Sequence, residues 1–286
     1  MNGKLTRRES ILLFGGTALF AQKATPPPLA HGVPSSPERT ALIKSFQEKS
    51  AGIEKLFEAR THKRDWEMPY RLFKPAGTQK VPLILYLHGS GGSGIDNQRQ
   101  LGLGNIFGTR VWALPANQKR FPCYVLAPQT DRGWARYEAP AEGGVAKLVP
   151  GFGDGAQMAV ELVQALCREL PIDQRRIYVT GQSMGGAGVW NVLANRPQMF
   201  AAAVPVCGSA TLDNAAIAAK IPLWNFHGDA DETVPVTVSR DRIAAIRKAG
   251  GHPLSTEYAG VGHNSWEWAF TEPALVDWLF KQNGSA

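Results

Sequence analysis

From residue 65 to the C-terminus, short apolar runs alternate with stretches of helical periodicity. Val81 to Leu87, Tyr124 to Ala127, Arg176 to Thr180, Ala202 to Val206, Leu223 to Phe226 and Ser255 to Ala259 have the length and apolar or β-branched content of buried strands. Between them, residues 154–170, 185–195, 212–219, 237–249 and 266–281 repeat apolar positions at helical spacing. Strands and helices in alternation predict an α/β fold with a mostly parallel central sheet and helices on both faces. Trp66 to Phe73 reads as an antiparallel first strand that caps one edge.

The flanking stretches differ. Residues 38–60 carry Leu42, Ile43, Phe46, Ile53, Leu56 and Phe57 at roughly helical spacing, which predicts a helical lead-in packed on the main domain. Residues 25–37 hold five prolines with Gly32 and two serines, a composition that cannot build a core and reads as a linker. Thr130 to Gly153 is polar, glycine-rich and without period, yet it leaves the C-terminal end of a strand, where open α/β sheets place their ligands. It is expected to wall a substrate cleft.

Ahead of the linker, Arg7-Arg8 precedes the apolar run Ile11 to Phe20, the layout of a bacterial export signal that resembles a twin-arginine one. Ser10 stands where that pattern prefers a large apolar residue, so the ordinary secretory route stays open. The run is too short to span a bilayer, and no cysteine follows it closely, which argues against a lipid or other stable membrane anchor. The organisation expected is therefore an export signal over 1–30, linker and lead-in over 31–60, and a catalytic domain over 61–286.

Composition changes this picture little. Hydrophobic residues make up 44% and charged residues 19%, ordinary for a globular domain. The net charge of +7 hints at nucleic acid, but the leader holds Lys4, Arg7, Arg8 and Lys23 against Glu9. Beyond it 27 basic residues face 23 acidic ones, scattered and without a stripe interleaved with aromatics, so no nucleic-acid partner is expected. Cys123, Cys167 and Cys207 lie far apart without ligand spacing, which argues against a metal site.

The chemistry concentrates in a few motifs. Gly181-Gln182-Ser183-Met184-Gly185-Gly186 falls between a strand and a helical stretch, the setting in which a serine sits on a strained turn as a nucleophile. A serine hydroxyl needs a base, and His263 in Gly262-His263-Asn264-Ser265 occupies the loop after the last strand. The acid that orients it should follow the preceding strand, where His227-Gly228-Asp229-Ala230-Asp231 offers Asp231 as first choice and Asp229 as a holder of loop amides. Oxyanion donors are expected at the amide of Met184 and, from His88-Gly89-Ser90-Gly91-Gly92, at Ser90 with Gly91 second. Trp134, Gln182 and Trp266 are the candidates to contact substrate. His88 and His227, each before a glycine at a strand end, read as loop-positioning residues.

With these pieces, together with Ala127-Pro128-Gln129 and Val234-Pro235, residues 65 onward resemble the α/β-hydrolase superfamily, and within it the bacterial predicted-peptidase, phospholipase/carboxylesterase and feruloyl-esterase-like group. The resemblance favours Asp231 over Asp229, because its H-G-x-x-D-x-x-V-P pattern carries the acid there. It implies hydrolysis of carboxylic esters, often on plant-derived material, with no cofactor. The expected substrate is a small-molecule or polysaccharide-linked ester. Two other functions compete: a serine peptidase of prolyl-oligopeptidase type, which usually carries a large extra domain, and an inactive binding protein, which would have lost one of the three residues. Oligomeric state is not fixed by these features.

Overall fold

The computed structural model describes residues 30–33, 36–138 and 147–284. The expected export signal lies, apart from Ala30, outside the described residues. Among those described, no helix is long and apolar enough to cross a membrane.

Among the described residues, eleven strands run in chain order as β1 (Ala30–Val33), β2 (Phe57–Lys63), β3 (Glu67–Phe73), β4 (Val81–Leu87), β5 (Tyr124–Pro128), β6 (Arg136–Glu138), β7 (Lys147–Val149), β8 (Ile172–Gln182), β9 (Ala202–Val206), β10 (Trp224–Gly228) and β11 (Leu254–Tyr258). The helices are α1 (Pro37–Ser50), α2 (Asn105–Ala113), α3 (Pro115–Arg120), α4 (Asp154–Glu169), α5 (Met184–Asn195), α6 (Ala215–Ala218), α7 (Val236–Lys248), α8 (Trp266–Ala269) and α9 (Leu275–Phe280). Nine strands form one sheet in the order β1-β11-β10-β9-β8-β4-β5-β3-β2. All neighbours are parallel except β3, which runs antiparallel to both β5 and β2.

Each face of the sheet carries its own core. On one side Leu83, Leu85, Val179 and Ala203 meet Met158, Leu162, Trp190, Ile243 and Ile246 from α4, α5 and α7. On the other Ile84, Tyr86, Tyr178 and Phe226 meet Phe46, Phe107, Trp112, Phe270 and Leu279 from α1, α2 and the C-terminal segment. Central strands apolar on both faces are the sequence signature of this sandwich, and the expected α/β architecture is present.

Four local expectations need correction. The lead-in is α-helical to Ser50; Gly52 at φ +82° turns the chain into one 3₁₀ turn, Ile53–Leu56, and Phe57–Lys63 becomes a strand paired with Glu67–Phe73. The edge is therefore held by β2, not by β3. At the opposite edge, Ala30–Val33, from the end of the expected leader and the start of the linker, pairs in parallel with β11. The helix expected over 266–281 is two short ones, separated by a segment containing Pro273, whose missing N–H interrupts a helical ladder.

Candidate active site

The turn from β8 into α5 holds Ser183 at φ 54° and ψ −119°, a conformation that costs a non-glycine residue free energy. The surrounding glycines make the turn possible. A Cβ on Gly185 would lie 1.9 Å from the Leu87 carbonyl oxygen, and one on Gly181 would lie 2.5 Å from that of Gly185. The Ser183 amide donates to Val206 O at 2.9 Å, which ties the elbow to β9.

Three loops at the C-terminal ends of β8, β10 and β11 converge here. Ser183 Oγ lies 2.7 Å from His263 Nε2, and His263 Nδ1 lies 2.7 Å from Asp231 Oδ2. Asp231 Oδ1 accepts from the amides of Thr233 and Val234, both at 2.9 Å. Burial pushes the Asp231 carboxyl upward, but the His263 hydrogen bond, the loop amides and the His263 charge outweigh it and hold the group below the usual carboxylate range. A carboxylate on one imidazole nitrogen leaves the other free to accept the serine proton. Asp229 is exposed and accepts from the Gly260 amide at 2.7 Å.

Asp231 Oδ2 has a second imidazole beside it. His227 Nε2 lies 3.1 Å from this oxygen and 2.9 Å from Val234 O. Both neighbours are acceptors, so Nε2 carries the proton. His227 Nδ1 meets the Ser239 hydroxyl at 2.7 Å, and burial pulls the ring below the ordinary histidine range. A neutral His227 therefore donates to the same carboxylate as His263. This contact with the acid is more specific than the loop-positioning use expected of His227.

After β4, residues Ser90–Gly92 form one 3₁₀ turn, closed by bonds from Gly92 N to Gly89 O and from Ser93 N to Ser90 O. The amides of Ser90 and Gly91 stand ahead of that ladder, as the amide of Met184 stands ahead of the helical ladder of α5. The Gly89 amide is taken by Asn105 Oδ1 at 3.0 Å. The Tyr86 hydroxyl is 2.9 Å from both Asn105 Oδ1 and Gln182 Oε1, and Gln182 Nε2 donates to Gly104 O at 3.1 Å. Gln182 is 3% exposed. It therefore braces the turn from behind, and its expected contact with substrate is corrected.

Trp134 is corrected as well. It is 0% exposed, donates through Nε1 to His88 O at 2.8 Å and packs its ring on the His88 ring at 4.8 Å. Trp134 and Ala135 turn into the core while Asp131, Arg132 and Arg136 to Glu138 stay exposed; residues 139–146 of the expected cleft wall lie outside the described residues. His88, itself buried, places Nδ1 2.8 Å from Gly89 O and accepts the Thr130 amide on Nε2. Trp134→Ala is expected to cost about 3–5 kcal/mol of stability, as buried aromatics do. A loss below about 1 kcal/mol in chemical denaturation would contradict this placement.

Burial pulls His88 down to about 4 from 6.5. Above pH 6.5 the ring is neutral in folded and unfolded chains alike. As the pH falls toward 4, only the unfolded chain takes up the proton, so stability present above 6.5 is lost. The expected loss from His88 is about 3 kcal/mol across this window, with His227 acting in the same direction. Denaturation series at stepped pH check it; a flat free energy from pH 6.5 to 5 would refute it.

Trp266 is half-buried and edge-on to His263, with ring centroids 5.4 Å apart. A residue not anticipated joins it. Leu103, 74% exposed at φ +47°, overlies the Ser90–Gly92 turn, its Cδ1 3.9 Å from where a Gly91 Cβ would stand. The only hint was an apolar residue between two glycines. Behind the site, Cys207 Sγ, Asp231 and His263 present ligand atoms within 4.8 Å of one another. Burial pushes the Cys207 thiol up to about 12, and His263 Nδ1 and Asp231 Oδ2 are bonded to each other, so the three do not converge on a shared cation.

The sequence model of the phospholipase/carboxylesterase family matches residues 74–272. NocK of Nocardia uniformis subsp. tsuyamanensis, named as a candidate esterase, is 25% identical over 81% of the chain and 66% of its own length. A crystal structure titled as a thermostable esterase superposes with a TM-score of 0.74 at 34% identity, over 81% of this chain and 64% of that one. The chain thus spans a little under two thirds of each of these relatives. A Bacteroides ovatus dipeptidyl aminopeptidase IV homologue, at 18% identity and a TM-score of 0.59 over 79% of this chain and 36% of its own, shares the fold.

Proposed function

Because the chain belongs to the phospholipase/carboxylesterase family of α/β-hydrolases, we propose that it hydrolyses carboxylic esters through an acyl-enzyme on Ser183. The observation that carries this reading is the unbroken line from Ser183 Oγ through His263 to Asp231, with bonds of 2.7 Å at each step. His263 Nε2 takes the hydroxyl proton as Oγ attacks the ester carbonyl. The resulting oxyanion sits against the amides of Met184 and Ser90 or Gly91. His263 then returns the proton to the leaving alkoxide, and a water repeats the cycle on the acyl group. Asp231 holds the imidazole and stabilises its charged form.

Leu103 and Trp266 supply the apolar rim for the acyl or alcohol group. Feruloyl, acetyl and other plant-polymer-derived esters are the substrate class, and the twin-arginine-like leader supports export to the periplasm or medium. The test is a panel of methyl ferulate, p-nitrophenyl acetate and peptide anilides, with fluorophosphonate labelling located by mass spectrometry. Ester turnover with the label on Ser183 is expected. Anilide cleavage faster than both esters would make the enzyme a peptidase.

His227 enters as the residue that holds the acid. His227→Leu removes one donor to a carboxylate, worth about 1.5–3 kcal/mol, so kcat/KM should fall roughly 10- to 100-fold. His227→Gln, which keeps an N–H near the same place, should recover most of it. Equal losses in both variants would show that only packing matters there.

A further inference from the structure

Leu103, Gly104 and Asn105 run in succession into the start of α2, and each meets a different part of the candidate site. Leu103 overlies the Ser90–Gly92 turn. The Gly104 carbonyl accepts from Nε2 of Gln182, the residue before Ser183, at 3.1 Å, and a Cβ on Gly104 would stand 3.0 Å from Trp266 Nε1. Asn105, 2% exposed, reaches the chain just ahead of the turn. Its Oδ1 accepts the Gly89 amide at 3.0 Å and stands 2.9 Å from the Tyr86 hydroxyl, while its Nδ2 donates to Arg99 O at 3.3 Å. Turned over, the carboxamide would set its NH₂ against an N–H and its oxygen against a carbonyl, so the partners fix its orientation.

Gly89 is thus held on both sides. Asn105 takes its N–H; its carbonyl oxygen accepts from Gly92 N at 2.9 Å and from His88 Nδ1 at 2.8 Å, which carries the ring proton because Nε2 accepts the Thr130 amide. A peptide unit is planar, so the direction of Gly89 O also sets that of the Ser90 N–H in the same plane. Gly89 has no Cβ to restrict its dihedrals, and the bond to Asn105 supplies that restriction from outside. We propose that Asn105 is a positioning residue for the oxyanion: by holding Gly89 N it aims the Ser90 amide at the ester carbonyl oxygen as that oxygen gains charge. This inference rests on the ester-hydrolase reading above.

The oxyanion forms in acylation and again in deacylation, and donors aimed at it act on the transition states rather than on the bound ester. Misplacing a reacting group by about 1 Å costs on the order of 100-fold. Asn105→Leu, close in volume but without an acceptor, should therefore lower kcat roughly 10- to 100-fold while KM stays within about threefold.

Kinetics of the full chain on p-nitrophenyl acetate, beside inhibition by a trifluoromethyl ketone, test the role. The tetrahedral adduct of that ketone on Ser183 carries the same oxyanion, so its inhibition constant should rise by the factor by which kcat falls. Asn105→Asp keeps an oxygen for Gly89 N and should recover most of both losses. A part in packing alone would lower Tm and give neither the match nor the recovery. If Asn105→Leu does not fold, Asn105→Ala decides by the same match. In a folded variant lacking the acceptor, a kcat within about threefold of the parent, or a fall in kcat with unchanged ketone inhibition, would overturn the assignment. So would an Asn105→Asp enzyme no faster than that variant. Each of these leaves the hydrolase reading standing as long as the parent turns over the ester and Ser183→Ala does not; a parent without ester turnover would overturn both.

Discussion

Ser183→Ala is expected to cut ester hydrolysis by roughly 10⁴- to 10⁶-fold while the protein remains folded. The variant loses the side-chain oxygen beside His263 Nε2, and the nearby Cys207 thiol does not replace it, being buried, held protonated and bonded toward His263 O at 3.4 Å. What remains is binding and the oxyanion donors. Stability should barely change, because the Cβ is kept and Ser183 N still reaches Val206. Kinetics on p-nitrophenyl acetate beside a melting curve check both halves. Turnover within tenfold of the parent would remove Ser183 from the mechanism.

Asp231→Asn should cost on the order of 10⁴ in kcat, and Asp229→Asn far less. The asymmetry comes from what each carboxylate accepts. Asp231 receives two imidazole N–H groups on Oδ2 and two backbone amides on Oδ1. An asparagine must turn its NH₂ toward one of those pairs. Toward the imidazoles it meets two donors and drives His263 into the wrong tautomer; toward the loop it leaves the Thr233 and Val234 amides without an acceptor. Asp231→Asn should therefore also lower the melting temperature. Asp229 accepts from the Gly260 amide at the surface and touches neither imidazole. If Asp229→Asn proved the more damaging, the acid would have to be reassigned.

The parts legible beforehand were those whose signal is local. A serine between glycines after a strand, and a histidine in a glycine turn after another, declare their geometry within a few residues. Trp134 misled because its burial depends on distant partners: His88, and Gly188, where a Cβ would sit 2.4 Å from the Trp134 Cβ. A tryptophan in an aperiodic loop carries no mark of that. Gln182 was misplaced for a related reason, since its partners Tyr86 and Gly104 come from other elements. The edge strand β1 was invisible because its pairing with β11, Ala30 with Thr256, spans most of the chain and leaves no periodic trace in its own four residues, whereas β2, in a tight hairpin with β3, was hidden by the helical spacing of the apolar residues up to Phe57. Pro273, by contrast, was a readable break that the helical spacing around it obscured.

The pairing of β1 with β11 also sets an order of events during synthesis. The first strand of the sheet emerges from the ribosome early but has nothing to anneal to until residues 254–258 are made. Chain elongation runs at roughly 5–20 residues per second, so this segment waits for about ten to fifty seconds. The same late stretch delivers His263. Closure of the sheet's far margin and arrival of the proposed base are thus two faces of one final step, and a nascent chain stopped short of residue 254 carries Ser183 and Asp231 without the imidazole that bridges them.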